Sequence, residues 1–405
     1  MKVCFETFGC RLNKAEALQM EADYLARGWQ LTKNHADADL FVIRGCSVTA
    51  RAQSDCEKLI AHLKHKHPLA QFRICGCIDR KSLNVSKFES LKVCDTDPKT
   101  LRPQNPQTLK LSNAQTIPTR TARAYLKVQD GCAGKCTFCI VPKFRGASRS
   151  EDFSAVIDRA KRFIGAGYHE IVVTGCNLSL YASQEKRLPD LVAALAKLDA
   201  GCRIRLGSVE PGACAIETIH AMAEHENVCR FLHLTVQSGS ERILQAMRRP
   251  YSVRDIDRSA STAAKLLPKL GLGCDLMTGF PGESELDHTA TRGLLKRLPF
   301  NNAHVFPFSE RPGTPAAAFF DVVPKNLRSA RAHELSKLVR SKRESFAKAF
   351  LGQTVEIVVE DEKSGKGWTS EYLTCKLTSG TYKRKSAIRV LITRIEGDIL
   401  HGRPQ

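Results

Sequence analysis

The sequence contains no run of about 18 apolar residues, so no segment reads as a helical membrane span. Its opening, MKVCFETFGC, holds an acid and polar groups where a secretory signal would need an apolar stretch, and the expected location is the cytoplasm. There is no long low-complexity segment and no fixed-period repeat, which sets aside arrays and solenoids. Acidic residues are in deficit: 42 Asp and Glu face 62 Lys and Arg, for a formal net charge of +20. A surplus of that size fits a polyanionic partner, because phosphate contacts are made by Lys and Arg and release counterions. The plainer alternative is a solvated basic surface without a ligand. With 42% hydrophobic and 26% charged residues, the composition is otherwise that of an ordinary globular protein.

Cysteine, by contrast, is plentiful, at 16 residues. A reducing compartment argues against a disulfide framework. Thiols kept reduced are free to bind metal or iron–sulfur clusters, and several are expected to be small buried apolar residues.

A chain of 405 residues calls for two or three domains. Residues 1–97 alternate β-rich runs (VCFETF, DLFVIR, FRIC) with helical stretches near Lys14–Arg27 and Ala50–His67, the rhythm of a doubly wound parallel sheet. Residues 98–123 carry Pro103, Pro106 and Pro118 among polar residues and read as a linker. From Ala124 the alternation restarts with AYLKVQD, EIVVTG, RIRLGS, FLHLTV, LGCDLMT and AHVFPF, separated by helical stretches such as Asp152–Gly165 and Leu188–Leu198. Six such units point to a partial or full α/β barrel. Residues 325–350 read as an amphipathic helix with Leu327, Leu335, Leu338 and Phe346 near one face and eight Lys/Arg against two Glu. Residues 351–405 are β-rich and read as a small barrel or sheet. The expected fold class is therefore α/β, with an N-terminal doubly wound parallel-sheet domain, a central (β/α) barrel over 124–350 and a small C-terminal β module.

The segment DGCAGKCTFCIVPKFRG places Cys132, Cys136 and Cys139 in a CxxxCxxC spacing directly after an expected strand, where barrel enzymes gather their active sites. A structural zinc site wants four protein ligands, and no fourth Cys or His is near in sequence; the next cysteine is Cys176. Three thiolates on a four-iron cluster leave one iron open to a small molecule. Phe138, Ile140 and Val141 are apolar residues that shield such a cluster or simply join the core.

This motif resembles the radical S-adenosylmethionine (SAM) signature. The resemblance implies a 4Fe–4S cluster on Cys132, Cys136 and Cys139 that cleaves SAM to a 5′-deoxyadenosyl radical. It also implies cofactor contacts at the strand ends: Thr174 and Gly175 in EIVVTGCN, whose backbone carbonyls hold the SAM amino group in that family, Gln237 and Ser238 in HLTVQSGS, and the Gly-rich turn from Asp275 to Glu283.

Cys10 (ETFGC), Cys46 (FVIRGC) and Cys77 (FRICGC) each follow a β run and a glycine and precede a helical stretch. In a doubly wound sheet the carboxyl ends of the strands form the ligand crevice, so three cysteines there can converge despite separations of 36 and 31 residues. Cys4, Cys56, Cys75 and Cys94 are competing candidates. Taken over nearly the whole chain, the sequence is similar to the radical SAM methylthiotransferase family: a three-cysteine N-terminal domain, a radical SAM barrel and a TRAM-like β module. The resemblance implies two 4Fe–4S clusters, the second on Cys10, Cys46 and Cys77 and concerned with sulfur, together with SAM, tRNA and an electron donor protein. FGCRLNKAE and RLGSVEP (Arg205–Pro211) resemble the branch that acts on threonylcarbamoyladenosine next to the tRNA anticodon and puts S-methyl in place of C2–H. FLHLTVQSGSERILQAMRRPYS and FSERPGTPA also match. Branches acting on isopentenyladenosine or on a ribosomal protein differ at the first two places. The chain departs from the family pattern at Arg44–Gly45, Cys75 and Cys176.

For RNA, the helix over 325–350 (+6) is more basic than the tail (+2). Lys383, Arg384 and Lys385 form a short basic run, and Trp368, Tyr372 and Tyr382 either stack on bases or fill a core. A non-catalytic iron–sulfur carrier or sensor is the alternative from another class, but a carrier needs neither an open iron nor a barrel.

Overall fold

The computed structural model describes residues 1–78, 91–93, 121–378 and 380–405. Cys94 and most of the expected linker, 98–120, lie outside them.

The N-terminal domain is built on a five-stranded, wholly parallel sheet. Its order is Gln30–Thr32, Lys2–Thr7, Leu40–Cys46, Gln71–Cys77, Leu91–Val93. The central strand LFVIRGC is buried along its whole length, and strand alternation splits it between two cores. Phe41 and Ile43 pack with Cys56, Ile60, Leu63, Phe72 and Ile74 on the side of helix Ala50–Lys66. Leu40 and Val42 pack with Val3, Phe5, Met20 and Tyr24 on the side of helix Arg11–Ala26. Burying one such large side chain stabilises the fold by about 1.5–3 kcal/mol. Because connections leave the first and second long strands toward opposite edges, a crevice opens at their carboxyl ends, the usual ligand position in this topology.

Six further strands follow in sequence order: Ala124–Lys127, Glu170–Thr174, Arg203–Leu206 continued by Ser208–Val209, Phe231–Gln237, Gly271–Thr278 and Asn302–Pro307. All neighbours are parallel. Among the described residues the first and last strands do not pair, so the sheet is an open, partial barrel. Its outer face carries the largest core, in which Ile171, Val173, Ile204, Leu234, Leu272 and Leu276 meet the surrounding helices. Helix starts follow their caps: Asp152 accepts from the Ala155 N–H, and Ser252 with Asp255 and Ser284 with Asp287 form capping boxes.

Helix Lys325–Lys348 packs on the last strand through Leu335 and Val339. Half of its basic residues are consumed internally. Arg331 pairs with Glu283 and Glu285, and Arg343 with Asp398. Arg328 donates to the Val323 and Phe308 carbonyls, and Lys342 to the Leu295 carbonyl. The exposed cations left on it are Lys325, Lys337, Arg340 and Lys348.

The tail closes into a five-stranded barrel in the order Thr354–Asp361, Lys366–Thr369, Thr374–Leu377, Ile399–Pro404, Ala387–Glu396. Two of these strands, KGWT and ILHGRP, carry no apolar alternation and are held by their neighbours rather than by propensity. The barrel is clasped to the central domain by a buried charge network. Glu170 takes Arg205 at 2.7 Å and Arg203 at 2.5 Å. Arg205 then donates to the Thr369 and Ser370 carbonyls, and Arg203 to those of Glu356 and Trp368. Trp368 stacks on Tyr372 at 4.5 Å, and Tyr372 lies 4.6 Å from Phe231, so both rings are spent in this clasp.

Candidate functional site

The barrel loop starts after the short strand Gln129–Asp130, which follows the first barrel strand and pairs antiparallel with Arg149–Ser150. Its base is closed by the Cys132 N–H to the Gly146 carbonyl at 3.0 Å. The buried Gln129 amide donates to the Gly131 carbonyl (2.7 Å) and to Ser148 Oγ (2.9 Å), and its Oε1 accepts from the Asn177 N–H (2.9 Å). One side chain thus ties the loop to the end of the neighbouring strand. Within the loop the Gly134 N–H points at Cys132 Sγ (3.3 Å). A Cβ at Gly134 would sit 3.1 Å from that sulfur and 3.7 Å from Cys136 Sγ, so the backbone wraps both thiols closely. Arg249 Nη1 donates to Cys136 Sγ at 2.9 Å and is oriented by Glu210 and Tyr251, both at 2.8 Å. Burial pushes the Cys139 thiol up to about 11, so a metal or a cation must hold its thiolate. Beyond burial, Arg249 favours the Cys136 and Cys139 thiolates, while Glu210 beside Cys136 and the neighbouring loop cysteines oppose them.

The second cysteine trio converges at the crevice of the N-terminal sheet. Cys46 and Cys77 are register partners on adjacent strands, and Cys10 caps helix Arg11–Ala26. The Cys77 thiol is pushed up to about 11 by burial, and Cys10 and Cys46 both act on it electrostatically. Gly9 adopts a φ of +87°, and a Cβ there would lie 2.8 Å from Cys46 Cβ, so only glycine lets the Cys10 turn come this close. Asn13 explains the Asn of FGCRLN: its amide donates to the Phe8 (2.8 Å) and Gly45 (3.0 Å) carbonyls, stitching the Cys10 turn to the residue before Cys46. Arg145, six residues beyond Cys139, donates through Nε to Cys77 Sγ at 2.7 Å.

Two of the departures from the family pattern meet in the fold. Arg44 and Cys75 are register partners, Arg44 Nη1 reaches Cys75 Sγ at 3.5 Å, and Glu16 pairs with the same guanidinium. Gly45 leaves room for Ile78, whose Cδ1 would be 2.4 Å from a Cβ there. Cys176 points at Asp130 Oδ1 (3.6 Å), and burial holds it as a neutral thiol.

Thr174 is buried at its strand end, with its carbonyl taking the Val128 N–H at 3.0 Å. Gly175 lies against Gln129, whose Oε1 would be 2.9 Å from a Cβ. Gln237 has φ +65°, a strained value for a residue with a side chain, and its Oε1 is buried without a hydrogen-bond partner among the described residues. The Ser238 hydroxyl is engaged by Thr291 Oγ1 at 3.3 Å. Asp275 lies on the inner face of the barrel, its Oδ1 3.1 Å from His233 Nε2 and 3.2 Å from His304 Nδ1. His233–Asp275–His304 and Cys4–Glu6–His35 are the groups of three ligand atoms within 4.8 Å of one another among the described residues. Neither cysteine trio is that tight. One tetrahedral ion would need such closeness, whereas a cubane presents separate iron corners. Backbone and guanidinium donors at the sulfurs, glycine-lined turns and an orphaned polar oxygen at a strand end fit iron–sulfur clusters and a polar cofactor.

Phe138 packs with Met247, Met277, Phe280 and Phe308 and so belongs to a core. Asn13, Glu16, Asp130, Arg145, Glu210 and Arg249 carry the site's electrostatics. The CIVPKFRG and RLGSVEP strings contain Arg145 and Glu210, but their partners are too distant in sequence to be paired by reading alone. No helix among the described residues is long and apolar enough to cross a membrane.

The family model described as Radical SAM superfamily matches residues 126–294, and that described as Uncharacterized protein family UPF0004 matches residues 2–92. A relative from Bacillus subtilis (strain 168), named threonylcarbamoyladenosine tRNA methylthiotransferase MtaB, is 30% identical over 92% of this chain and 89% of its own. One of the same name from Aquifex aeolicus (strain VF5) is 30% identical over 97% and 100%. A relative from Chlorobium chlorochromatii (strain CaD3), named tRNA-2-methylthio-N(6)-dimethylallyladenosine synthase, is 30% identical over 98% and 96%. Among solved structures, the radical SAM methyltransferase TsrM from Kitasatospora setae shares the fold, with a TM-score of 0.53 and 13% identity over 78% of this chain and 77% of that one. The chain belongs to the radical SAM methylthiotransferase family.

Proposed function

We propose that this chain replaces C2–H of N6-threonylcarbamoyladenosine, next to the tRNA anticodon, with a methylthio group, using SAM and two 4Fe–4S clusters. The observation that carries the reading is the pairing of two cysteine trios on two domains, each with one sulfur taking a hydrogen bond from a buried guanidinium. SAM cleavage alone needs the barrel trio; sulfur insertion needs a second site beside it. On this reading Cys132, Cys136 and Cys139 hold the SAM-cleaving cluster, and Cys10, Cys46 and Cys77 hold the auxiliary one. Bound there, the clusters supply the electron that breaks the sulfonium bond of SAM and the sulfur that is methylated and transferred.

This chain's own residues bind and orient. Thr174 and Gly175 offer backbone at the strand end, Gln237 offers its unpartnered Oε1, and Ser238 contributes backbone, since its hydroxyl is engaged. Asp275, with His233 and His304, lines the inner face toward SAM and the incoming base. A protein electron donor supplies reducing equivalents, and the tRNA substrate places the work in the cytoplasm.

The branch rests on FGCRLN and RLGSVEP, in which Asn13 and Glu210 have definite jobs beside the sulfurs. A second reading, isopentenyladenosine as substrate, is favoured by the equal identity of the Chlorobium relative. Mass spectrometry of tRNA nucleosides from a deletion strain separates them. The proposal expects 2-methylthio-N6-threonylcarbamoyladenosine to vanish and its unthiolated precursor to accumulate. Loss of the isopentenyl derivative instead would favour the second reading. Unchanged tRNA with an altered ribosomal protein would overturn both.

A further inference from the structure

We infer that Arg145 is the positioning residue that joins the two cysteine trios and sets the reduction potential of the auxiliary cluster; this rests on the two-cluster reading above. Arginine has five N–H donors in a rigid fork, and all five are used. Nε donates to Cys77 Sγ at 2.7 Å. Nη1 donates to Glu16 Oε1 at 2.9 Å and Asp130 Oδ1 at 3.0 Å. Nη2 donates to Asn13 Oδ1 at 2.9 Å and Glu16 Oε2 at 3.1 Å.

These partners span both domains. Cys77, Asn13 and Glu16 belong to the N-terminal sheet domain. Asp130 immediately precedes the barrel loop, and Arg145 ends the short helix Val141–Arg145 that begins two residues after Cys139. Arg249, the corresponding donor to Cys136, has its other partners within the barrel. Arg145 therefore links a sulfur of one trio directly to the segment that carries the other.

Charge points the same way. Glu16 and Asp130 are shared by Arg44, Lys127 and Arg145, with Arg149 at the half-exposed rim. Two buried arginines, Arg44 and Arg145, and the partly buried Lys127 against two carboxylates leave a positive charge facing the Cys77 sulfur, and an uncompensated charge so shielded from water is costly. A ligand sulfur that carries negative charge completes the balance. A hydrogen bond from a cation to that sulfur stabilises the more negative, reduced cluster and so raises its potential.

The test uses the full chain carrying Cys132→Ala, Cys136→Ala and Cys139→Ala, reconstituted so that about four irons remain, with the auxiliary midpoint read by EPR redox titration. Arg145→Gln is expected to keep its iron and to lower the reduced-to-oxidised ratio at fixed potential at least tenfold, a negative shift of about 59 mV for one electron. Arg145→Lys, which keeps the charge and one donor, should recover part of the shift. Iron retained in Arg145→Gln at the wild-type potential would overturn the inference. If Arg145→Gln loses its iron, Arg145→Lys decides: a shifted midpoint supports the role, and an unshifted one refutes it. Loss of iron from both, with unchanged circular dichroism, would make the residue a structural clamp and refute the tuning role. A parent protein that binds no iron would sink the two-cluster reading itself, a failure distinct from all of these.

Discussion

Arg249 donates to Cys136 Sγ at 2.9 Å from a side chain that is only 7% exposed. The contact places a cation against the middle cysteine of the barrel loop, and Glu210 and Tyr251 fix its angle. Outer residues that orient metal ligands typically change affinity or activity about 10–100-fold when removed. Arg249→Gln should therefore retain the fold and lower the rate of reductive SAM cleavage by about 10–100-fold. The 5′-deoxyadenosine assay checks it; an unaltered rate would mean the contact is incidental.

Replacing Cys10, Cys46 and Cys77 by Ala should lower the iron content from about eight to about four per chain. SAM cleavage should persist in that variant, because the barrel loop keeps its three thiols and Arg249. Methylthiolated product should disappear. Iron and sulfide analysis with product mass spectrometry reads all three, and a fall to no iron would show that the trios do not hold separate centres.

Glu170 is fully buried beneath three arginines. Burial by itself raises its carboxyl, but Arg205, Arg203 and Arg123 outweigh it and hold the group well below the usual carboxylate range. The folded-state value is thus depressed, so the stabilisation is complete above the ordinary value of 4.5 and is lost as pH falls below it. Urea unfolding followed by tryptophan fluorescence should show this acid loss of stability, since Trp368 sits in the clasp. Glu170→Gln should cost about 3–5 kcal/mol at neutral pH, because it leaves buried guanidinium groups uncompensated. A cost below about 1 kcal/mol would show that the clasp is not held by charge.

The helix Lys325–Lys348 carries less free charge than its composition promises, since Arg328, Arg331, Lys342 and Arg343 are bonded within the protein. Any phosphate contact must come from the exposed set. Lys337→Glu with Arg340→Glu should weaken tRNA binding and flatten its salt dependence by about 0.7–0.9 per lost contact. Filter binding across a salt series measures both, and an unchanged slope would exclude this face.

What the sequence made legible follows from distance along the chain. The barrel loop could be read because its three thiols lie within eight residues. Cys10, Cys46 and Cys77 recur at one topological position, but so wide a spacing left Cys4, Cys56, Cys75 and Cys94 as competitors, and the family resemblance singled out the trio. The links between the two trios could not be read. Arg145 meets Asn13 and Cys77 across 132 and 68 residues, and no local pattern announces such a pairing. Trp368 and Tyr372 were ambiguous between base stacking and packing, and only the approach of Phe231 and the clasp arginines resolved them into packing. The strands Lys366–Thr369 and Ile399–Pro404 were illegible because barrel closure, not side-chain periodicity, makes them strands.

The decisive experiment incubates the anaerobically reconstituted, reduced protein with SAM and tRNA bearing N6-threonylcarbamoyladenosine, then quantifies 5′-deoxyadenosine and the digested nucleosides together. Both 5′-deoxyadenosine and the 2-methylthio nucleoside should form, and Cys136→Ala should abolish both. Intact SAM and unmodified nucleoside from a protein carrying its full iron content would rule out methylthiolation by the two cysteine trios.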